Sequence, residues 1–278
     1  MIRHDRGIIY DRYGRILVDN RPSLDLQMTP AFLGSKEEFQ DTLDRLSIYI
    51  DFTPSEREAL RQRIKANRGL TRFRPLVVRR DLNRAQVERI EADRATFALD
   101  GVEIVEGRRR VYRYGGTASH VLGYVNEIDA RALDRERQKG NPLGYRLGDL
   151  IGRDGLERTH EDALRGVDGY RKIVVDAKGR RLQDEFIDQL LGPEHEVPAK
   201  PGNNVFLSLD IELQQAAERK FKELGVAGSV VALDANTGAV LTMVSMPEFD
   251  PNRIAGADAA AYKRELDSDP LKPWINRP

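Results

Sequence analysis

The strongest constraint on the fold comes from two neighbouring stretches near the end of the chain, each apolar along most of its length. Ser229–Leu233 and Ala239–Ser245 are joined by Asp234-Ala235-Asn236-Thr237-Gly238, which is typical of a turn. Strands with apolar residues on both faces are found inside sheets that are covered on each side. The sequence therefore predicts a β-hairpin that needs covering elements on both faces.

A strand and a helix come directly before this hairpin. Val205–Leu209 is predicted as the strand, and Asp210 is predicted to cap a helix that Gly225 ends. The apolar residues on one face of that helix are Leu213, Ala217, Phe221 and Leu224. Because one helix cannot cover so apolar a sheet, we expect residues 201–278 to be the incomplete start of a domain, with Trp274 left exposed.

The first 200 residues combine short strands with helices, and we predict an α+β fold for the chain. The predicted strands in this part are Gly7–Tyr10, Ile16–Val18, Pro75–Val78 and Val102–Val105, with a hairpin formed by Tyr170–Val175 and Arg180–Glu185. Residues 36–68 are predicted to be helical, with a second helix opening at Thr53-Pro54. One helix face carries Phe39, Leu43, Leu46 and Ile50. Leu156 to Leu164 is predicted to form another helix.

The charges balance, with 45 lysines and arginines against 45 aspartates and glutamates. An arginine-rich nucleic-acid binder would carry a basic net charge and stacking aromatic residues, so this class has no support. The absence of cysteine excludes disulfides and thiolate metal sites. The four histidines are too widely spaced to predict zinc ligands. We therefore predict no metal, no cofactor and no nucleic-acid partner.

Four groups of residues, in this order, resemble the motifs of one known family. They are Arg6-Gly7-Ile8-Ile9-Tyr10-Asp11-Arg12-Tyr13-Gly14 with Asn20; Arg109-Arg110-Val111-Tyr112 with His120-Val121-Leu122-Gly123-Tyr124-Val125; Gly152-Arg153-Asp154-Gly155-Leu156-Glu157 with Glu161 and Leu164-Arg165-Gly166; and Pro201-Gly202, Leu209-Asp210, Val231-Ala232-Leu233-Asp234 and Ser245-Met246-Pro247-Glu248-Phe249-Asp250-Pro251-Asn252. Together they resemble class B penicillin-binding proteins. The helical insertion between the first two groups is most similar to penicillin-binding protein 2, the enzyme of cell elongation. The division-type paralogue is the close alternative.

The resemblance implies an elongated, multi-lobed arrangement. Residues 1–200 would form a non-penicillin-binding pedestal of the dimerisation type, with a head subdomain at about 35–115. Residues 201–278 would supply the first strand, helix and hairpin of a transpeptidase domain.

The family's catalytic motifs are missing from this sequence. The family uses a serine of Ser-x-x-Lys as nucleophile, completed by Ser-x-Asn and Lys-Thr-Gly motifs. None of the three occurs here, and Ser268 is followed by Lys272, one residue too far for the first motif. We therefore predict that this chain has no catalytic residue and is inactive alone, with the nucleophile beyond Pro278.

The resemblance also implies a function and partners for the full protein. That protein would cross-link peptidoglycan stem peptides, bind β-lactams and maintain cell shape from the periplasmic face of the inner membrane. No apolar run in this chain approaches the roughly 18 residues that cross a bilayer, so its membrane anchor would be missing here. The pedestal would contact a SEDS-family glycosyltransferase and an MreC-type scaffold. A stand-alone, non-catalytic interaction scaffold is the alternative.

The candidate site is structural. The residues taken from the motifs as a structural or interface set are Arg6, Gly7, Asp11, Arg12, Arg109, Arg110, Gly155 and Glu157. A guanidinium can bind a carboxylate at two points and so fix the register of distant segments. We predict that Glu157 pairs with Arg6 or with an arginine near residue 109. The alternative is that these charges are solvated, as most surface charges are.

Overall fold

The structure is a computed structural model that describes residues 2–33, 36–67, 69–94, 99, 101–172, 174, 196–256 and 259–278. The predicted hairpin over Tyr170–Val175 and Arg180–Glu185 lies largely outside these ranges. Within them, no helix has the length and apolar character that a membrane span requires.

The chain contains both strands and helices throughout. The strands are β1 (Ile9–Tyr10), β2 (Ile16–Met28), β3 (Leu76–Arg79), β4 (Val102–Tyr112), β5 (Val125–Glu127), β6 (Leu150–Gly152), β7 (Tyr170–Arg171), β8 (Glu196–Val197), β9 (Val205–Phe206), β10 (Gly228–Leu233) and β11 (Val240–Met246). The helices are α1 (Lys36–Leu46), α2 (Pro54–Ala66), α3 (Arg84–Arg94), α4 (Ser119–Leu122), α5 (Ala130–Gln138), α6 (Gly155–Thr159), α7 (Glu161–Leu164), α8 (Ile211–Leu224), α9 (Pro251–Ile254) and α10 (Ala259–Ser268). The predicted α+β class is confirmed.

The chain folds into two compact units. The first comprises Met1–Ile2, Pro22–Arg109 and Gly169–Pro198. The second comprises Arg3–Arg21, Arg110–Asp168 and Ala199–Pro278. The predicted division into a pedestal over residues 1–200, with a head at about 35–115, and a further domain from 201 stays a prediction.

The core of the first unit lies between helices and the long strands. Its buried residues are Leu26, Met28, Leu33, Phe39, Leu43, Leu46, Ile50, Leu60, Leu82, Ile90, Leu99 and Val102. The predicted apolar face of α1 is therefore confirmed, and Ile50 joins the same core from just beyond the helix end. Residues three and four apart share a helix face, which is why this spacing places them together.

Capping residues set the starts of two helices in this unit. Thr53 Oγ1 accepts a hydrogen bond from Glu56 N at 3.2 Å, and Glu56 Oε2 accepts one from Thr53 N at 2.8 Å. Asn83 and Gln86 make the same reciprocal pair, at 2.9 and 3.0 Å. Each pair satisfies backbone N–H groups that the helix leaves free. The predicted helix start at Thr53-Pro54 is confirmed.

In the second unit, β1 pairs antiparallel with the start of β2 and parallel with β9. The Asp11 carboxylate accepts hydrogen bonds from the backbone N–H groups of Tyr13 and Arg15, both at 2.8 Å, and so holds the turn between β1 and β2. The buried residues around this sheet are Ile9, Leu17, Val18, Tyr112, Ala118, Leu122, Leu164, Leu209 and Ile211.

Helix α8 covers one side of the β10–β11 hairpin. Asp210 caps the helix by accepting a hydrogen bond from Glu212 N at 3.1 Å, and Gly225 ends it with φ of 64°. Buried Gln214 fastens the helix to β11, because its Oε1 accepts from Met243 N at 2.9 Å. The predicted helix and hairpin are both confirmed. The apolar face predicted for the helix is not its buried face: Leu213 and Leu224 are exposed, whereas the buried residues are Ile211, Gln214 and Glu218. Strand β11 is mostly buried or half-buried, whereas three apolar residues of β10 are exposed: Val230, Val231 and Leu233.

Several sequence expectations differ from the structure. The helix predicted from Leu156 to Leu164 is two short helices, α6 and α7, with a break at His160. The strands predicted at Val102–Val105 and Ile16–Val18 continue to Tyr112 and Met28, and the strand predicted at Val205–Leu209 ends at Phe206. Trp274 is half-buried rather than exposed, because it packs on the rings of Phe249 and Tyr124 at 5.2 and 6.1 Å.

Candidate functional site

Glu157 is fully buried in the second unit and is bound by two arginines from distant parts of the sequence. Its Oε2 accepts a hydrogen bond from Arg6 Nε at 2.6 Å, and its Oε1 accepts one from Arg110 Nε at 2.7 Å. Arg6 precedes β1, Arg110 lies near the end of β4, and Glu157 is on α6. The predicted pairing of Glu157 is present, and it involves both candidate segments.

A second glutamate completes the charge balance. Glu161, at the start of α7, accepts hydrogen bonds from Arg6 Nη2 at 2.6 Å and from Arg6 Nη1 at 3.1 Å. Two arginines and two glutamates thus form a neutral set, which we call the Glu157 cluster: Arg6, Arg110, Glu157 and Glu161. Opposite charges at these distances offset the free energy lost when charged groups leave water.

Hydrogen bonds to the backbone fix the cluster to its surroundings. Arg110 Nη1 donates to Gly7 O at 2.7 Å, and Arg6 Nη2 donates to Glu157 O at 2.8 Å. Asn20 links both arginines: its Oδ1 accepts from Arg110 Nη1 at 3.2 Å, and its Nδ2 donates to Arg6 O at 2.6 Å. The cluster therefore sets the register of β1, β2 and β4 as well as the position of α6.

The protonation states follow from this geometry. Burial would raise the pKa of Glu157, but the charges of Arg110 and Arg6 hold that pKa below its ordinary value. Burial would lower the pKa of Arg6, but Glu157 and Glu161 raise it above its ordinary value. Burial and the charge of Glu157 raise the pKa of Tyr112 well above its ordinary value. Glu157 is thus an anion and Tyr112 a neutral phenol at neutral pH.

Glycines allow the backbone to approach closely beside the cluster. A Cβ on Gly7 would lie 1.8 Å from Asn203 O, and Gly7 N donates to Leu164 O at 2.8 Å. Gly155 opens α6 with φ of 54°, where a Cβ would lie 2.5 Å from Gly123 N. No other residue fits such contacts without moving the backbone. Both predicted glycines therefore lie where packing requires them.

A second group of charges surrounds Asp149 in the same unit. Arg3 Nη1 donates to Asp149 at 2.8 Å and to Asp168 at 3.1 Å, and His4 Nδ1 donates to Asp168 at 2.7 Å. Arg165 lies 3.5 Å from the other Asp149 oxygen. Burial would raise the pKa of Asp168, but the hydrogen bond from His4 and the charge of Arg3 hold that pKa well below its ordinary value. This group ties the first residues of the unit to the segment around Asp168.

Tyr145 connects the two groups of charges. Its hydroxyl donates to Glu161, and its ring lies 3.8 Å below the Arg165 guanidinium. Burial and the charge of Glu161 raise the pKa of Tyr145 above its ordinary value, so it remains a hydrogen-bond donor. The second unit thus contains one continuous polar network from Arg3 to Arg110.

The remaining candidate residues lie outside the Glu157 cluster. Asp11 holds the turn described above, and exposed Arg12 lies over the Tyr13 ring at 5.4 Å. Arg109 pairs with Asp81 within the first unit. The role of the whole predicted set as a structural or interface motif stays a prediction.

The predicted set omitted Glu161, Asn20 and Tyr145. Glu161 lies four residues after Glu157, a spacing that places two helical side chains on the same face and could have signalled it. The short helices α6 and α7 bring both carboxylates to Arg6 in spite of the break between them. Tyr145 has no comparable signal, because it lies in a loop with no regular spacing to the cluster.

The site holds charge in fixed positions. Every oxygen of Glu157 and Glu161 accepts at least one hydrogen bond from an arginine, a tyrosine or a backbone N–H. Within the described part of the chain, no three histidine or acidic side chains gather in a way that could hold a metal ion. The arrangement supports a mechanical role in keeping three distant segments in register.

Comparisons with known proteins agree with this reading of the motifs. The family model described as the penicillin-binding protein dimerisation domain matches residues 2–207. The peptidoglycan D,D-transpeptidase MrdA of Escherichia coli strain K12 is 35% identical over 276 residues, which cover 99% of this chain and 41% of that protein. Penicillin-binding protein 3 of Bacillus subtilis is 28% identical over 273 residues, which cover 98% of this chain and 36% of that protein. The chain spans about two fifths of the length of these curated relatives.

Two solved structures share the fold. The complex between penicillin-binding protein 2 and MreC from Helicobacter pylori matches with a TM-score of 0.74 and 23% identity, covering 99% of this chain and 48% of that chain. Penicillin-binding protein 2 from the same organism matches with a TM-score of 0.64 and 21% identity.

Proposed function

The chain belongs to the penicillin-binding protein dimerisation domain family, and from this premise we propose that it is the non-catalytic pedestal portion of a peptidoglycan D,D-transpeptidase of the penicillin-binding protein 2 type. The full protein cross-links stem peptides during cell elongation and is acylated by β-lactams. This chain supplies the scaffold and the contacts with other proteins.

The observation that carries this proposal is the Glu157 cluster. Its two arginines and two glutamates come from three of the motif groups that resemble the family, and the buried Glu157 carboxylate binds both arginines. A buried ion network that joins distant segments suits a rigid scaffold. It contains no serine or cysteine, and the Tyr112 and Tyr145 hydroxyls that contact its carboxylates have pKa values raised by burial, which makes them poor nucleophiles for acyl transfer.

The partner that we propose is an MreC-type scaffold protein. One solved structure with a similar fold is a complex of penicillin-binding protein 2 with MreC. The structural match covers 99% of this chain. We extend the proposal to a SEDS-family glycosyltransferase and to a position on the extracytoplasmic face of the inner membrane, as the family resemblance implies.

Covalent labelling with a fluorescent penicillin, followed by intact mass, tests the absence of chemistry in this chain. The chain should gain no mass, whereas a longer form of the protein that continues through the catalytic motifs should gain one penicillin. A covalent adduct on the 278-residue chain would overturn the proposal, because it would require a nucleophile within these residues.

Biolayer interferometry tests the contacts with other proteins. The purified chain should bind an immobilised MreC-type protein from the same organism, and saturating penicillin should leave the affinity unchanged. If the longer form binds and this chain does not, the contact lies outside the pedestal and that part of the proposal fails.

A further inference from the structure

Residues 271–277 are fastened to helix α4 by a single buried histidine. His120 is buried in the second unit, and its Nε2 lies 2.7 Å from the carbonyl oxygen of Pro273. A carbonyl oxygen can only accept, so His120 Nε2 carries the hydrogen and donates it. The two residues are 153 positions apart in the sequence.

Aromatic rings surround this contact. The ring of Phe249 stands edge-on to His120 with centroids 5.1 Å apart, and it lies 5.2 Å from Trp274. The ring of Tyr124 also packs here, with its centroid 6.0 Å from that of Phe249. Pro273, whose carbonyl oxygen accepts the hydrogen bond, is itself buried. The histidine therefore donates its hydrogen bond in surroundings made largely of apolar rings.

The same segment has a second attachment, on strand β11. Ser245 Oγ donates to Ile275 O at 2.9 Å and accepts from Arg277 N at 3.1 Å. A strand thus holds the segment from one side and His120 holds it from another. Of these two hydrogen-bonded attachments, only the one made by His120 involves a side chain whose ordinary pKa is near neutral.

The charged groups that act on His120 come from three elements. Asp154 precedes α6, Glu248 follows β11, and Arg277 lies in the attached segment. The two carboxylates favour the protonated ring and the arginine disfavours it. Burial outweighs the carboxylates and the bond to Pro273, because a second proton would place a full charge among apolar rings.

We propose that His120 is a pH-responsive latch: the neutral imidazole holds residues 271–277 against α4. Protonation at Nδ1 leaves the Nε2–H bond to Pro273 O in place, and it loosens the segment because the buried ring then carries a full charge among apolar rings. Burial, as the largest cause, lowers the pKa of His120 below its ordinary value in the folded protein. The released form therefore binds protons more tightly than the latched form. Docking is complete above the ordinary value of about 6.5 and weakens as the pH falls below it.

The latch bears on the rest of the unit because α4 also meets the helix that carries Glu157. Gly123, which ends α4, and Gly155, which opens α6, approach so closely that no Cβ fits at either residue. Helix α4 thus contacts both residues 271–277 and the helix that carries Glu157. This inference holds whether or not the proposed function is right.

The fluorescence of Trp274 tests the proposal, because it is the single tryptophan of the chain and lies next to Pro273. In the wild-type chain, lowering the pH from about 7.5 to about 5.5 should shift the emission to longer wavelength and increase quenching by acrylamide. Carboxylates with ordinary pKa values near 4 remain charged across this interval. Burial raises the pKa of Glu218, which accepts a hydrogen bond from Ala118 N at the start of α4, so a variant of His120 that keeps Glu218 is needed to identify the titrating group.

The variant His120→Gln separates titration from hydrogen bonding. Glutamine is similar in length, carries an N–H that can reach the same carbonyl, and does not titrate. This variant should keep the neutral-pH emission at both pH values, whereas His120→Ala should emit like the acidified wild type at both. The matched control is His160→Gln, at an exposed histidine, which should retain the wild-type pH response.

Circular dichroism distinguishes release of the segment from unfolding of the whole unit. The far-ultraviolet spectrum should stay unchanged while the Trp274 emission moves. If His120→Gln shows the same pH transition as the wild type, or if His120→Ala emits like the wild type at neutral pH, the latch is refuted. If His120→Ala does not fold, the pH response of His120→Gln still decides the question.

Discussion

Arg110 donates a hydrogen bond from Nε to Glu157 Oε1 at 2.7 Å, and both side chains are buried although 47 positions separate them. Removing the carboxylate would leave two guanidiniums buried without their charge partner. Breaking a buried pair in this way costs about 3 to 5 kcal/mol of unfolding free energy. We expect Glu157→Gln to lower the free energy of unfolding by about 3 kcal/mol or more, as measured by urea unfolding followed by circular dichroism.

The matched control for this substitution is Glu223→Gln. Glu223 pairs with Lys220 at 2.7 Å, but both side chains are exposed. Exposed pairs contribute about 0 to 1 kcal/mol. If both variants lose the same unfolding free energy, the burial of Glu157 has no energetic consequence. That result would contradict the structural role that we assign to the Glu157 cluster.

Acid should weaken the second unit through its paired carboxylates. The pKa values of Glu157 and Asp168 are both lower in the folded chain than their ordinary values of 4.5 and 3.8. A carboxyl group with a lowered folded pKa contributes stability that is complete above the ordinary value and is lost as the pH falls through the folded value. We expect the unfolding free energy to fall slightly below about pH 6.5, where His120 begins to be protonated in the unfolded chain, and to fall steeply below about pH 4.5, where the paired carboxylates are protonated.

The variant Asp168→Asn identifies the group responsible for part of this dependence. It should be less stable than the wild type at neutral pH, and it should lose less stability between about pH 5 and about pH 3. Each unit of pKa shift corresponds to about 1.4 kcal/mol. An Asp168→Asn profile parallel to that of the wild type would exclude Asp168 as a source of acid sensitivity.

Local patterns in the sequence were enough to predict many of the elements. The helix that opens at Thr53-Pro54, the cap at Asp210 and the end at Gly225 depend on residues within a few positions of each other. Each could be predicted because the hydrogen bonds that make a cap involve neighbouring backbone groups. The break between α6 and α7 could not, because the sequence from Leu156 to Leu164 contains no glycine or proline to mark it.

The choice between Arg109 and Arg110 shows a second limit. Successive side chains of a strand point to opposite faces, so only one of two adjacent arginines can reach a given partner. The predicted strand ended at Val105, and without its continuation to Tyr112 this rule could not be applied. In the structure Arg110 binds Glu157, while Arg109 pairs with Asp81. The outcome depends on long-range pairing that spacing alone does not contain.

Gly7 should tolerate no side chain. A Cβ there would lie 1.8 Å from Asn203 O, a backbone atom that cannot move without displacing its segment. We expect Gly7→Ala to cost about 2 kcal/mol or more, toward the large end of single substitutions. Gly14→Ala is the control, because Gly14 has φ of 77° and no atom near its Cβ position. Its cost should be about 1 kcal/mol, from the left-handed backbone alone.

Urea unfolding at neutral pH measures both glycine variants. If Gly7→Ala and Gly14→Ala lose the same free energy, the close approach to Asn203 relaxes without cost. The contact would then have no part in joining the start of the second unit to the segment before β9.

The β10 strand should be the least protected part of the second unit's sheets. Val231 and Leu233 are exposed on β10, whereas Val244 on the paired strand β11 is fully buried. Within the described residues, β10 is hydrogen-bonded to β11 and to no other strand. Elements with few buried apolar contacts open locally with low free energy. We expect amides of residues 228–233 to exchange hydrogen much faster than those of residues 16–21 at the start of β2, as measured by mass spectrometry of peptides. If β10 and residues 16–21 are equally protected in the monomeric chain, the hairpin is stable without further cover, and the sequence-based expectation for residues 201–278 is wrong.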